Sequence, residues 1–238
     1  MASLKDNQQT SDPRLDRLVQ FDERSRAFPI TATLETTTPR SYTWAGGPVT
    51  DQGKEGACVG HGWTGELTAR PVQVAVSNPD TYAYALYHDL QHRDPWEGCS
   101  LGPRCTIAAS PQTYGGTSTL EGAKTLTERG FYSEYRWAFG LNDLILAIGR
   151  KGPAVLGINW YDSMYSAPGG KVTVSGTRVG GHCILARGVS LSSQTILLRN
   201  SWGTDWGVGG DARISFADMD RLLKEDGEAV IPLRKAVI

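Results

Sequence analysis

Residues 51–60 read DQGKEGACVG, and they place Cys58 at the start of a segment with helical periodicity. The apolar residues of this segment recur every four positions and form one stripe, at Val59, Trp63 and Leu67. A helix is therefore predicted over 58–70, ending before Pro71 because a proline disfavours helical geometry in the residue that precedes it. A thiol in the first helical turn lies near the positive end of the helix dipole, which favours the reactive thiolate.

Two polar residues far downstream complete a set suited to nucleophilic catalysis. His182 lies in GGHCILA (residues 180–186), and Asn200 opens NSWGTDWG (residues 200–207) after the apolar run 196–198. An imidazole can take the proton of a thiol, and a third polar group can fix the orientation of the ring. We predict Cys58 as nucleophile, His182 as base and Asn200 as the group that orients it.

This order and spacing resemble the papain-like cysteine proteases over about residues 42–220. Asn200-Ser201-Trp202-Gly203 is the most specific match, and Gln52 precedes Cys58 by six residues, as the family's oxyanion-hole glutamine does. The resemblance implies that the Gln52 side-chain N–H and the Cys58 backbone N–H stabilise the oxyanion. It also implies that the pair Gly115-Gly116 binds the substrate backbone.

The resemblance implies roles for two more residues. Trp202 would shield the Asn–His hydrogen bond from water, with core packing as its alternative role. Cys183 would border the main specificity pocket, and a buried strand thiol is the alternative. No cofactor and no metal ion are expected.

Three positions depart from the family pattern. Glu55 stands where secreted members usually carry a second cysteine, and Val59 replaces the usual tryptophan after the nucleophile. Gly181 stands where Asp or Asn often precedes the histidine. The first two changes resemble trimmed, bacterial-type members, and they bear on substrate preference more than on chemistry.

The fold class indicated is α+β, since helical patterns come first along the chain and strand patterns follow. Helices are predicted from an Asn78 cap through Leu90, from Thr117 or Ser118 to Gly130, and over 141–150. Strands are predicted over 154–160, 171–175, 182–189, 195–199 and 211–216, and a loop over 94–116. The resemblance implies two lobes, one helical and one an antiparallel sheet or barrel, with the active site in the cleft between them.

The domain organisation expected is an arm followed by one catalytic domain. Residues 1–40 form a polar arm, either solvated or a short inhibitory or docking segment. Residues 41–238 form the papain-like domain, with a helical lobe over about 58–150 and a sheet lobe over about 151–220.

Composition is that of an ordinary globular chain and excludes several classes of function. The 238 residues are 39% hydrophobic and 21% charged, with a net charge of −1. This balance gives no reason to expect nucleic acid or a membrane as partner. The N-terminus shows no apolar signal-peptide core, so a cytoplasmic location is expected.

Other titratable residues leave alternatives open. His61 lies three residues after Cys58 and is the rival for the base. His88 and His92 have i, i+4 spacing on a predicted helix, with Cys99 and Cys105 downstream. A zinc site, a disulfide between the two cysteines and free thiols are the possibilities there.

The function indicated is that of a cysteine endopeptidase that hydrolyses protein or peptide substrates through a thioester intermediate. An amidase or acyl-transferase using the same dyad is the alternative within enzymes. A non-catalytic binding module that keeps the fold is the alternative from another class.

Overall fold

The computed structural model describes residues 3–4, 12–71, 73–96 and 115–233. Its five α-helices are α1 Cys58–Thr68, α2 Pro79–Gln91, α3 Thr119–Glu128, α4 Leu141–Arg150 and α5 Phe216–Lys224. Its strands are β1 Ser3–Leu4, β2 Arg17–Leu18, β3 Gln20–Phe21, β4 Tyr42–Thr43, β5 Thr117–Ser118, β6 Glu134–Trp137, β7 Ala154–Tyr161, β8 Lys171–Val172, β9 Arg178–Ser190, β10 Thr195–Arg199, β11 Asp211–Ser215 and β12 Glu228–Leu233. Short 3₁₀ helices cover Glu23–Ala27, Ile30–Thr33, Asp162–Tyr165 and Pro168–Gly170.

One sheet of eight strands organises the molecule. Its order is β6-β12-β7-β9-β10-β11-β8, and β4 pairs with β9 beside this path. All pairs are antiparallel except β8 with β11. The sheet therefore confirms the α+β class and its antiparallel sheet lobe. Two smaller pairings, β1 with β3 and β2 with β5, involve the N-terminal arm.

The predicted helices form where their caps lie in the sequence. The Asn78 side chain accepts a hydrogen bond from the Thr81 N–H at 3.0 Å, and α2 begins at Pro79. The Ser118 hydroxyl accepts from the Glu121 N–H at 3.1 Å and caps α3. Such caps satisfy backbone donors that a helix start leaves without partners.

Two apolar clusters lie on the sheet. One joins the sheet to α4 and α5, with Trp160 and Ile184 among its fully buried members. The other lies between the sheet and α1, α2 and α3, around Trp63. Helix α1 approaches its neighbours closely because it is rich in glycine: a Cβ atom at Gly62 would lie 2.6 Å from Cys183 Sγ on β9.

Three elements lie outside the sequence-based prediction. Strand β6 comes from within 58–150 yet joins the sheet, next to β12 beyond residue 220. Helix α5 begins at Phe216, which was predicted as the end of a strand.

None of the helices in the described part of the chain is long and apolar enough to span a bilayer.

Candidate active site

Cys58 is the first residue of α1, as the apolar stripe predicts, and its side chain is fully buried. Burial raises the pKa of its thiol to about 12, and the backbone N–H groups of Cys183 and Asp16 oppose that rise. Burial in this form of the molecule therefore opposes the thiolate that the start of the helix was expected to favour. Loss of water around the sulfur outweighs the helix dipole, because a buried charge is costly to form.

His182 and Asn200 form a hydrogen-bonded pair. His182 lies on β9 and Asn200 follows β10, the neighbouring strand, so the sheet sets their separation. The distance between His182 Nε2 and Asn200 Oδ1 is 2.8 Å, and both residues are buried. Burial lowers the pKa of His182 to about 4, while the Asn200 bond favours the protonated ring.

Two tryptophans enclose the His182 imidazole. The Trp160 ring lies 4.6 Å from it and the Trp202 ring 5.1 Å, measured between ring centroids. The two apolar rings exclude water from the His182–Asn200 hydrogen bond. A hydrogen bond is stronger where water is excluded. Trp202 also packs against the sheet core.

Gln52 is held in one orientation by the segment that follows Asn200. Its Oε1 accepts hydrogen bonds from the Ser201 hydroxyl at 2.8 Å and from Trp202 Nε1 at 3.2 Å. Its Nε2 donates to the Glu55 carbonyl at 2.8 Å and to the Arg14 carbonyl at 3.3 Å. The amide N–H therefore reaches a peptide carbonyl oxygen, which is the chemical group that a substrate would present.

The N-terminal arm covers these residues. Asp16 pairs with Gly181, immediately before His182, and β2 runs parallel to β5. The Arg14 guanidinium lies 4.3 Å from the Trp202 ring centroid. Gly116 and Gly115 contact the arm closely: a Cβ at Gly116 would lie 1.5 Å from the Asp16 carbonyl oxygen. The arm thus fills the space over the thiol and the imidazole.

Asp16 is an arm residue whose carboxyl group interacts with Cys58 and has a shifted pKa. Burial raises its pKa to about 6, and the neighbouring charge of Asp12 adds to the rise. Asp12 itself pairs with Arg14 at 2.7 Å, which lowers its pKa against the effect of burial. Burial therefore opposes the anion at Asp16, whereas pairing with Arg14 favours the anion at Asp12.

The structure brings together most of the predicted site residues in one place. Cys58, His182, Asn200 and Gln52 lie under the arm, together with Gly115, Gly116, Cys183 and Trp202. Cys183 is buried, and its N–H points to the Cys58 sulfur. His61 instead faces α2, with its ring 5.1 Å from that of Tyr84, and burial lowers its pKa to about 4.

Two of the four residues of the zinc alternative, His88 and His92, lie within the described ranges. There, no three His, Cys, Asp or Glu side chains come close enough together to hold an ion. His88 pairs with Glu55 at 3.1 Å. Cys99 and Cys105 lie outside the described residues.

Comparison of the three-dimensional structure with solved structures gives matches over most of the chain. Xylellain, a cysteine protease from Xylella fastidiosa, is 15% identical, with a TM-score of 0.56 over 98% of this chain and 100% of its own. Digestive procathepsin L2 from Tenebrio molitor larval midgut is 16% identical, with a TM-score of 0.60 over 98% of this chain and 84% of its own. The chain has the papain-like fold.

A third papain-like structure carries an inhibitor. The Carica candamarcensis cysteine protease CMS1MS2 in complex with E-64 is 18% identical, with a TM-score of 0.57 over 84% of this chain and 100% of its own. No family model matches the sequence, and no curated protein does. The similarity is thus one of papain-like structure at low sequence identity.

The candidate site contains residues that the sequence analysis did not identify. Ser201 orients Gln52, Trp160 covers His182, and the arm residues Arg14 and Asp16 occupy the site. Ser201 lies within the quoted NSWG motif, which was a usable signal. The arm residues carried none, because the residues that they contact lie far away in the sequence.

Proposed function

We propose that this chain is a cysteine-type endopeptidase whose thiol, base and orienting group are Cys58, His182 and Asn200. The observation that carries the proposal is the hydrogen bond from Gln52 Nε2 to the Arg14 carbonyl oxygen. The chain presents its own peptide group where a scissile carbonyl would bind. The papain-like fold and its protease neighbours support this assignment.

The proposed reaction follows the chemistry of the residues. The Cys58 thiolate attacks the substrate carbonyl, and the developing oxyanion accepts hydrogen bonds from Gln52 Nε2 and from the Cys58 backbone N–H. His182 gives its proton to the leaving amine, so the peptide bond breaks and a thioester forms. It then takes a proton from water, which hydrolyses the thioester and frees the thiol. Asn200 keeps the imidazole in register.

We further propose that the arm over 12–40 holds the enzyme in a latent state. With the arm docked, the high pKa of Cys58 and the low pKa of His182 favour the neutral pair, which is a poor nucleophile. When the arm leaves, water returns and the ion pair becomes accessible.

The experiment is hydrolysis of a mixed fluorogenic peptide library by the full chain. We expect a progress curve with a lag as arms are released, and no hydrolysis by Cys58→Ala at equal concentration. Cys183→Ala is the matched control and should hydrolyse the library, because that thiol lies against Gly62 and not in the proposed chemistry. Hydrolysis by Cys58→Ala at the wild-type rate would overturn the proposal.

A further inference from the structure

Cys58 and Cys183 are the two cysteines within the described residues, and both are buried free thiols. The Cys183 backbone N–H interacts with the Cys58 sulfur. Within a cysteine, the backbone nitrogen is joined to its own sulfur through the Cα and Cβ atoms alone. Both sulfur atoms therefore lie close to the Cys183 main chain, where β9 meets the first turn of α1.

A glycine in α1 lets the Cys183 sulfur approach the helix face that carries Cys58. Gly62 follows Cys58 by one turn of the helix, so the two residues are neighbours on that face. A Cβ atom at Gly62 would lie 2.6 Å from Cys183 Sγ, so a side chain there would displace the sulfur. Helical Cα–Cβ bonds tilt toward the N-terminus, and this contact therefore lies on the side of Gly62 that faces the Cys58 turn.

A change of rotamer brings the two sulfurs toward each other. Cβ positions one helical turn apart are separated by about 5–6 Å, and the Cys183 sulfur lies at the Gly62 end of this interval. A disulfide requires its two Cβ atoms to be about 3.5–4.5 Å apart. Rotation of Cys183 about its Cα–Cβ bond moves the sulfur between staggered positions and leaves the register of β9 unchanged.

The two thiols differ in their readiness to ionise. With the arm docked, burial raises the pKa of Cys58 to about 12 and the pKa of Cys183 well above its ordinary value. A negative charge on Cys58 adds to the rise at Cys183, because neighbouring anions repel each other. Once the arm leaves and His182 takes the proton of Cys58, the thiolate at Cys58 keeps Cys183 protonated. One residue is then the nucleophile and the other remains a thiol.

We propose that Cys183 is the resolving thiol of an oxidation site, in which a hydroperoxide converts Cys58 and Cys183 into a disulfide. This inference rests on the proposed function, because the ion pair of Cys58 with His182 supplies the thiolate. The disulfide blocks the nucleophile reversibly. It also prevents further oxidation of Cys58 to sulfinic and sulfonic acids, which thiols do not reduce.

The two chemical steps need only the hydroperoxide as oxidant. The Cys58 thiolate attacks one peroxide oxygen, so the O–O bond breaks and an S–O bond forms. Cys58 is oxidised to a sulfenic acid, and the leaving oxygen takes the proton held by His182. The Cys183 sulfur then attacks the Cys58 sulfur, so the S–O bond breaks and the S–S bond forms. The hydroxyl group leaves with the Cys183 proton as water.

The test is peptide mapping of the full chain after treatment with hydrogen peroxide. Wild type and Leu15→Ala, which loses a buried contact of the arm, are treated alike. Each protein is then unfolded with iodoacetamide present and digested with trypsin without reductant. Trypsin does not cleave before Pro71, so Cys58 falls in peptide 55–93, and Cys183 falls in peptide 179–187. We expect these two peptides to be joined by a disulfide, which should form faster in Leu15→Ala.

Removal of the resolving thiol should make the oxidation irreversible. After peroxide has lowered the rate of peptide hydrolysis, dithiothreitol should return wild type to nearly its own starting rate. Cys183→Ala should stay inactivated, because its Cys58 proceeds to sulfinic and sulfonic acids. The matched control is Cys99→Ser with Cys105→Ser, which keeps Cys183. It should retain both the bridged peptide and the recovery.

The outcomes separate the inference from the proposed function. Absence of the bridge between Cys58 and Cys183 in both wild type and Leu15→Ala would overturn the inference, whether or not Cys58 is oxidised. So would a bridge from Cys58 to Cys99 or Cys105, or full recovery of Cys183→Ala with dithiothreitol. Peptide mapping requires no hydrolysis, so the pairing is tested even if the proposed function fails. That failure would appear separately, as hydrolysis by Cys58→Ala at the wild-type rate.

Discussion

The side-chain amide of Gln52 donates a hydrogen bond to the backbone carbonyl of Arg14 at 3.3 Å. One partner belongs to the arm and the other to the loop before α1, and they are separated by 38 residues in sequence. The bond joins the two proposals made for this chain. If Gln52 stabilises an oxyanion, then the Arg14 carbonyl prevents a substrate from reaching it.

Weakening the arm should expose the thiol. Leu15 is buried in the sheet-side core and anchors the arm, so Leu15→Ala removes about 2 to 5 kcal/mol of packing free energy. We expect alkylation of Cys58 by iodoacetamide to accelerate, on the order of 10-fold or more. Phe21→Ala is the matched control, because Phe21 is 41% exposed, and it should leave the rate nearly unchanged. Equal rates for Leu15→Ala and wild type would show that the arm does not protect the thiol.

Loss of the Gln52 amide should lower the rate constant of the chemical step. We expect Gln52→Ala to reduce kcat on the order of 100-fold or more with little change in KM, because an oxyanion donor acts mainly in the transition state. Ser201→Ala removes only the hydroxyl that orients Gln52 and should reduce kcat less. Steady-state hydrolysis of one peptide measures both. A larger loss in Ser201→Ala than in Gln52→Ala would contradict this assignment.

The two buried histidines should respond differently to substitution. His182→Ala should be nearly inactive, and Asn200→Ala should keep partial activity because it loses orientation and not the base. His61→Ala should stay active, since that ring contacts Tyr84 on α2. Peptide hydrolysis by the three variants checks this. An inactive His61→Ala beside an active His182→Ala would reassign the base.

Asp16 should make docking of the arm depend on pH. The pKa of Asp16 is about 6 in the docked arm and 3.8 when the carboxyl group is free. Between these two pH values, Asp16 is therefore more protonated in the docked arm than in the free arm. The contribution of Asp16 to docking of the arm is therefore fully present below about pH 4. This contribution is lost as the pH rises through 6. Asp16→Asn stays neutral and should lose this dependence.

The measurement for Asp16 is thermal unfolding of wild type and Asp16→Asn between pH 4 and 7. His182 and His61 have lowered pKa values, so they stabilise the fold as the pH rises, which opposes Asp16. The difference in Tm between the two proteins isolates the contribution of the Asp16 carboxyl group to stability. We expect Asp16→Asn to gain Tm relative to wild type as the pH rises. A constant difference would contradict the raised pKa.

Local sequence signals predicted much of this fold. Helices α2 and α3 were located from their caps at Asn78 and Ser118, because capping depends on residues adjacent in sequence. Helix α1 followed from a four-residue apolar period. Cys58, His182, Asn200 and Gln52 were identified from their motifs, and the structure brings them under one segment of the arm.

Long-range contacts account for what was not predicted. Strand β12 is stabilised by its pairing with β6 and β7. The sequence of Glu228–Leu233 does not indicate those partners. The raised pKa of Cys58 follows from burial under a segment about 40 residues earlier in the chain. Arg17 and Glu228 are more than 200 residues apart, and only the sheet register brings them together.

Titration of Cys58 against activity tests the central claim most directly. The full chain is alkylated stepwise with iodoacetamide, the modified residue is located by peptide mapping, and the remaining rate of peptide hydrolysis is measured. We predict that the rate falls in proportion to the fraction of Cys58 modified and reaches zero at one label per chain, while Cys183 stays unmodified. Full hydrolytic activity with Cys58 completely alkylated would contradict the account.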